Sequence, residues 1–309
     1  MVAVIATIYF LGGEFKRHWA TLHNYQFSIR LDYIIISFLI TTIAFLTDTL
    51  ALYICINKHI ESKKISFLTS MAIFNTSNIF KYIPGRIWGY TAQMLWFSKK
   101  GISKSKVLYV NFICSISAII VSVFLGIVYA VYYFPNIGFT SKVMLLVFLI
   151  LDLFFIFWNS TLINFLIRIA NNYFNRDIQI LHTPKLLLIG IQMIYLIQWN
   201  WIGFGGYFLA QGIGLEIAFA DFYAVLASMS LSWVIGYLSV ITPGGLGIRE
   251  SVMYLILNHV TNIQTSLLMP IATRFLYLLV ELSLSFISFL LAVKLRVFSE
   301  ILEINTTDN

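Results

Sequence analysis

The chain has 309 residues, 60% of them hydrophobic and 11% charged. A soluble domain carries about 25% charged residues, so water cannot be the solvent for most of this surface, and a mean hydropathy of +0.87 agrees. The formal net charge of +7 comes from Lys and Arg in short loops beside apolar runs, which is the charge pattern of an oriented membrane protein and gives no support to nucleic-acid binding.

In chain order, Met1–Gly12 is apolar but short. It lacks a basic start and a small-residue cleavage site, and reads as a short retained helix rather than a leader. Apolar runs near 33–57, 106–134, 143–167, 185–211 and 266–293 follow. Each exceeds the roughly 20 residues a helical span requires. The polar stretches at 14–32 and 168–185 have the length of loops, which leaves no room for an appended catalytic domain. The expected fold is an all-α, polytopic membrane helix bundle: a single transmembrane domain, 1–309, with about six spans.

Two apolar regions are interrupted. Ile65–Ser98 breaks at Pro84-Gly85-Arg86, and Ala218–His259 breaks at Pro243-Gly244-Gly245-Leu246-Gly247. Proline removes a backbone donor and clashes with the preceding turn, and glycine after it permits positive φ. Both regions should therefore read helix, break, helix.

Charge bias suggests how they sit. If both are re-entrant hairpins, loops 57–66, 98–106, 168–185 and the tail from Lys294 share one face. That face carries twelve basic residues: Lys58, Lys63, Lys64, Lys99, Lys100, Lys104, Lys106, Arg168, Arg176, Lys185, Lys294 and Arg296. The other carries four, Lys16, Arg17, Arg30 and Lys142. The first face is then cytoplasmic, the C-terminus included. Oppositely inserted hairpins outline an inverted repeat, with halves at about 33–134 and 185–294 joined by a span at 143–167. Paired interrupted segments of this kind point to a transporter site.

Candidate binding residues cluster at the breaks. A glycine-rich turn ahead of a helix start offers free N–H groups and a positive dipole end to an anion. Arg249 adds a phosphate-compatible fork there, and Glu250 suits the first turn. The bland alternative is a hairpin tip whose charge pair serves packing. Lys81 and Arg86 flank the first break; they either meet an anion or snorkel to headgroups. The run Asn75-Thr76-Ser77-Asn78 supplies neutral polar groups on the same arm. Arg274 and Glu281 lie seven apart in the last span, on one helix face. Pairing of Arg274 with Glu250, and of Glu281 with Arg249 or Arg86, is expected. Asp48 and Asp152 read as hydrogen-bonded core carboxylates, with proton coupling as the alternative. Cys55 and Cys114 read as inert core thiols. The aromatic and glycine group at 199–208 reads as helix packing. No metal-ligand spacing, cofactor fingerprint or hydrolase motif occurs.

The segment Thr242-Pro243-Gly244-Gly245-Leu246-Gly247-Ile248-Arg249-Glu250 resembles the Pro-Gly-Gly-(Leu/Val)-Gly-x-Arg-Glu signature of the lysylphosphatidylglycerol synthase transmembrane-domain family, the flippase-like membrane proteins. Tyr82-Ile83-Pro84-Gly85-Arg86-Ile87-Trp88 through Ser103 resembles an earlier block of a subgroup, and Arg274 fits the motif order. The first block departs from the namesake enzymes, which have a Pro-Gly-Gly turn where Arg86 follows Gly85. The resemblance implies a lipid-translocating or lipid-assembly role at the bacterial cytoplasmic membrane, without lysyl transfer, since no soluble synthase region accompanies it. The expectation is a flippase for an anionic phospholipid or lipid-linked glycan precursor, not an enzyme. Its partners would be membrane lipids and envelope glycolipid or polysaccharide biosynthesis proteins. The alternatives are a membrane-embedded lipid-modifying enzyme, using Glu250 or Asp152 as acid or base, and a non-transporting scaffold.

Overall fold

The computed structural model describes residues 12–14, 16–19, 23, 28–60, 64–83, 87–133, 139, 143–144, 146–157, 161, 165, 182–215, 217–239 and 242–297. The short helix expected over Met1–Gly12 falls almost wholly outside these residues. So do Pro84, Gly85 and Arg86, and most of the loop at 168–185.

The helices are α1 (Leu31–Lys58), α2 (Phe67–Asn78), α3 (Ile87–Ser98), α4 (Lys104–Tyr133), α5 (Leu146–Phe157), α6 (Lys185–Gly212), α7 (Phe222–Leu238), α8 (Ile248–Leu257) and α9 (Ile263–Lys294). The expected all-α membrane bundle is what forms. Among the described residues, α1, α4, α6, α9 and the run Phe219–Leu238 are long and apolar enough to cross a membrane. Within the run expected at 143–167, the described helix is α5.

Both interrupted regions are helix, break, helix. α2 is capped by Ser66, whose hydroxyl accepts from the Thr69 N–H, and it tightens into a 3-10 turn at Ile79–Tyr82 before α3 begins. α7 stops at Leu238, a 3-10 turn spans Pro243–Gly245, and α8 begins at Ile248. Gly244, Gly245 and Gly247 have φ of 59°, 74° and 86°, a region L-residues with a Cβ enter only at a cost. At 12 residues each, α2 and α3 reach only about 18 Å, short of a hydrocarbon core about 30 Å thick. The arms of each broken region pack on one another, closely enough at Gly89 that a Cβ there would sit 3.2 Å from the Ser77 carbonyl.

The element order therefore runs long helix, arm, break, arm, long helix, twice, with the first arm of the second half, in the run Phe219–Leu238, the longest of the four. α1 packs along α6. The last long helix of each half covers the first arm of the other, α9 on α2 and α4 on α7. The two breaks meet, the Ile79–Tyr82 turn against Pro243–Gly245. Exchanging the halves leaves this pattern of packing unchanged.

Small residues permit the close approaches. The Ser37 hydroxyl donates to the Gly205 carbonyl at 2.6 Å where α1 crosses α6. Gly203 and Gly206 face Leu226 and Met229 of α7, and Gly126 faces Leu231. The expected packing role of the 199–208 group holds, with Trp199 against Trp233 at 5.6 Å and Phe204 against Phe222 at 4.6 Å between centroids. The outward faces are apolar: Ile35, Leu39, Phe275, Leu279, Leu282 and Phe286 are all exposed. The interior instead holds Ser37, Thr41, Thr49, Asn75, Ser77, Gln93 and Asn111. A lipid solvent produces that inversion, because buried polar groups can find partners only inside the bundle.

Candidate functional site

The site lies where the two breaks meet on α9. Glu281 is its centre on one side. Lys81 Nζ donates to Glu281 Oε1 at 2.5 Å, and the Tyr82 hydroxyl donates to Oε2 at 2.5 Å. Of the two partners expected for Glu281, Arg86 lies outside the described residues and Arg249 makes no ion pair with it among them; Lys81 does. Lys81 is thus drawn inward to a carboxylate rather than out to headgroups, because the 3-10 turn rotates it toward α9.

Two turns earlier on α9 stands Arg274. Its Nη1 donates to the Gly244 carbonyl at 3.2 Å, and its Nε lies 3.8 Å from Glu250 Oε1, the pairing expected of charges within spans. The guanidinium carbon is 5.9 Å from the Tyr82 ring centroid. The side chains of Arg274 and Glu250 are only 13% and 11% exposed. Yet Arg274 Nε and Nη2 have no hydrogen-bond acceptor among the described residues. A buried guanidinium with open donors is an exception that calls for a physical reason.

Glu250 has a second task. Its Oε2 accepts the Gly247 N–H at 2.6 Å, closing the start of α8. The helix end that could bind an anion is therefore capped by the chain's own carboxylate. Arg249 packs its side chain against Gly236 and Gly245, where an added Cβ would stand 2.9 Å and 2.8 Å from its Nε. Glycine at both positions makes room for it. Arg249, Glu250, Trp233, Thr273, Arg274 and Tyr277 line a crevice between α7, α8 and α9. Its volume of about 20 Å³ holds roughly one water. This is a closed arrangement.

The run Asn75–Asn78 serves the helix junction instead. The Thr49 hydroxyl donates to Asn75 Oδ1 at 3.4 Å, and the Ser285 hydroxyl to the Asn75 carbonyl at 2.9 Å. Sequence reasoning missed the tyrosines. The Tyr90 and Tyr237 hydroxyls are 2.8 Å apart, and Tyr237 donates to Ser115 at 3.0 Å. No motif marks them; their positions near the breaks were the available signal. Asp48 accepts from the Tyr195 hydroxyl at 3.0 Å, and Asp152 from Gln192 Nε2 at 2.7 Å, so both are hydrogen-bonded carboxylates. Cys55 and Cys114 are buried and free. No group of three or more metal-ligating side chains occurs among the described residues.

Apolar helices, polar interior and paired breaks define a polytopic helical membrane protein. The family model of the lysylphosphatidylglycerol synthase TM region matches residues 1–291, and the chain belongs to that family, a membrane family tied to lipid processes. No curated protein matches the chain.

Proposed function

We propose that this chain is a flippase that carries an anionic phospholipid or lipid-linked glycan precursor across the bacterial cytoplasmic membrane, acting as a carrier rather than an enzyme. One observation carries the reading: Arg274, buried at the meeting point of the two breaks, holds two guanidinium nitrogens without an acceptor among the described residues. A phosphate offers several acceptor oxygens to such a fork. Arg249 stands beside it and supplies the second guanidinium.

The two broken regions act as oppositely inserted re-entrant hairpins, and the swapped packing of the halves supports an inverted repeat. With room for about one water, the crevice must open before a headgroup enters. Tilting one half against the other separates the breaks, exposes Arg274 to one leaflet, and leaves acyl chains in lipid. The basic loops and the C-terminus face the cytoplasm. Envelope glycolipid or polysaccharide biosynthesis proteins would be its partners.

The test uses proteoliposomes of phosphatidylethanolamine and phosphatidylglycerol with fluorescent phosphatidylglycerol as the probe. The wild type should expose the probe to a membrane-impermeant quencher, and a folded, inserted Arg274→Ala should not. Equal rates would refute the headgroup role. Labelling that places loops 57–66 and 98–106 on opposite sides would refute the hairpin topology.

A further inference from the structure

An uncharged aromatic column borders the Arg274 crevice. Trp233 of α7 lines the crevice together with Arg249, Glu250 and Arg274. Tyr237, about one turn along α7, stacks on Trp233 with ring centroids 5.0 Å apart and planes 16° from parallel. Trp199 of α6 meets Trp233 edge to face at 5.6 Å. The column thus joins the crevice to α6 at one end and, through the Tyr237 hydroxyl, to Tyr90 of α3 and Ser115 of α4 at the other.

Hydrogen-bonding capacity is left over at both ends. Trp199 is 4% exposed, and its indole N–H has no acceptor among the described residues. Leaving such a donor unpaired in the interior costs free energy that an incoming acceptor recovers. At the other end, Tyr237 gives its one proton to Ser115 at 3.0 Å, so Tyr90, 2.8 Å away, is the donor to Tyr237. A phenol oxygen has two acceptor positions, and the Ser115 proton fills at most one of those on Tyr90. The column therefore presents a donor at Trp199 and an acceptor at Tyr90, beside α7 positions about 5.4 Å apart. Neither has a carboxylate partner among the described residues. Glu250, the carboxylate of the crevice, accepts the Gly247 N–H and faces Arg274.

We infer that Trp199 and Tyr90 are specificity-determining residues, selecting a lipid phosphodiester whose far side carries uncharged hydroxyls over one that carries an amine. The inference rests on the flippase reading and narrows its substrate. Arg274 takes the phosphate, Trp199 donates to one hydroxyl oxygen, and Tyr90 accepts the proton of another. A hydroxyl both donates and accepts, so it satisfies either group; an ammonium only donates, leaves the Trp199 N–H unpaired, and meets no carboxylate in the column. The ring faces of Trp233 and Tyr237 cover the C–H side of a polyol, since such rings pair an apolar face with a polar edge. The walls of the column are membrane spans, so the phosphodiester arrives on a lipid.

Calorimetric titration of the purified chain, in micelles of a sugar-free detergent, compares dioctanoyl-phosphatidylglycerol with its phosphatidylmethanol and phosphatidylethanolamine counterparts. The first two carry the same single charge and differ in the hydroxyls. The wild type should bind the glycerol lipid about tenfold or more tightly than either of the others. Trp199→Phe removes the N–H and Tyr90→Phe the acceptor, each keeping a ring. Each should shrink the preference for the glycerol lipid over the methanol lipid by about fivefold, the loss of one hydrogen bond. Damaged packing would weaken both lipids alike and leave their ratio unchanged. Glycerophosphoglycerol, the same headgroup without acyl chains, should compete at least about tenfold less well; equal competition overturns the assignment to a lipid. Equal affinity of the wild type for the three lipids, or a preference that survives both variants, overturns the inference and leaves the Arg274 reading standing. Binding of none overturns both. Should the variants fail to fold, the wild-type ranking decides, and an ethanolamine or methanol lipid that binds as well as the glycerol lipid refutes the assignment.

Discussion

Tyr82 donates its hydroxyl to Glu281 at 2.5 Å although 199 positions separate them in the chain. With Lys81 on the other carboxylate oxygen, the first break is pinned to α9 by one residue. Glu281→Ala strands Lys81 and should cost about 2–3 kcal/mol, against about 1 kcal/mol for Tyr82→Phe. Unfolding of both variants in mixed micelles measures the difference. Equal losses would mean that the ion pair adds nothing to the phenol contact.

The second break depends on backbone that only glycine adopts freely. A Cβ on Gly245 would combine φ of 74° with a 3.1 Å approach to the Gly236 carbonyl. Gly245→Ala should therefore destabilise by about 1–3 kcal/mol, read as a lowered midpoint in thermal unfolding.

Gly236 is different, because it is helical and the three nearest atoms a Cβ there would meet belong to the side chain of Arg249. That side chain can swing away. Gly236→Ala should leave stability within about 1 kcal/mol and move the guanidinium off the crevice. Lipid exposure in the quenching assay should then slow by roughly tenfold or more, the loss of one charge-assisted hydrogen bond.

Arg274→Lys keeps the charge and loses the fork. If the open Nε and Nη2 are what a phosphate uses, transport should fall by about tenfold despite the conserved charge. A lysine variant that matches the wild type in quenching assays would show that charge alone suffices.

Gly205 sets the spacing of α1 and α6, since an added Cβ would run into Thr41 Oγ1. Gly205→Val should cost about 1–3 kcal/mol through overpacking, whereas Ser37→Ala, which removes the 2.6 Å bond to the Gly205 carbonyl, should cost about 0.6 kcal/mol. Reversible unfolding in micelles separates the two.

Much of this was legible in advance. The Pro and Gly clusters marked both interruptions, since backbone freedom is a local property. Arg274 and Glu250 were paired from the need of span charges for partners. Lys81 was not foreseen as a partner of Glu281, because that contact depends on how a 3-10 turn rotates against a helix about 200 residues away. The tyrosine pair Tyr90 and Tyr237 escaped notice for the same reason: a hydroxyl in an apolar helix carries no motif until a neighbouring helix brings its partner.

The amino-acid sequence by itself determined that lipid is the solvent, where the helices break, and which charges must lie inside. Those properties follow from composition, span length and φ preferences, which act within a few neighbouring residues. Only the tertiary structure decided that the two breaks touch, that Glu281 takes Lys81 and Tyr82, and that Arg274 keeps donors open beside Gly244. Such pairings depend on which helix faces meet, and in a bundle that is settled by small-residue contacts such as Gly205 on Thr41, far from the charges they bring together.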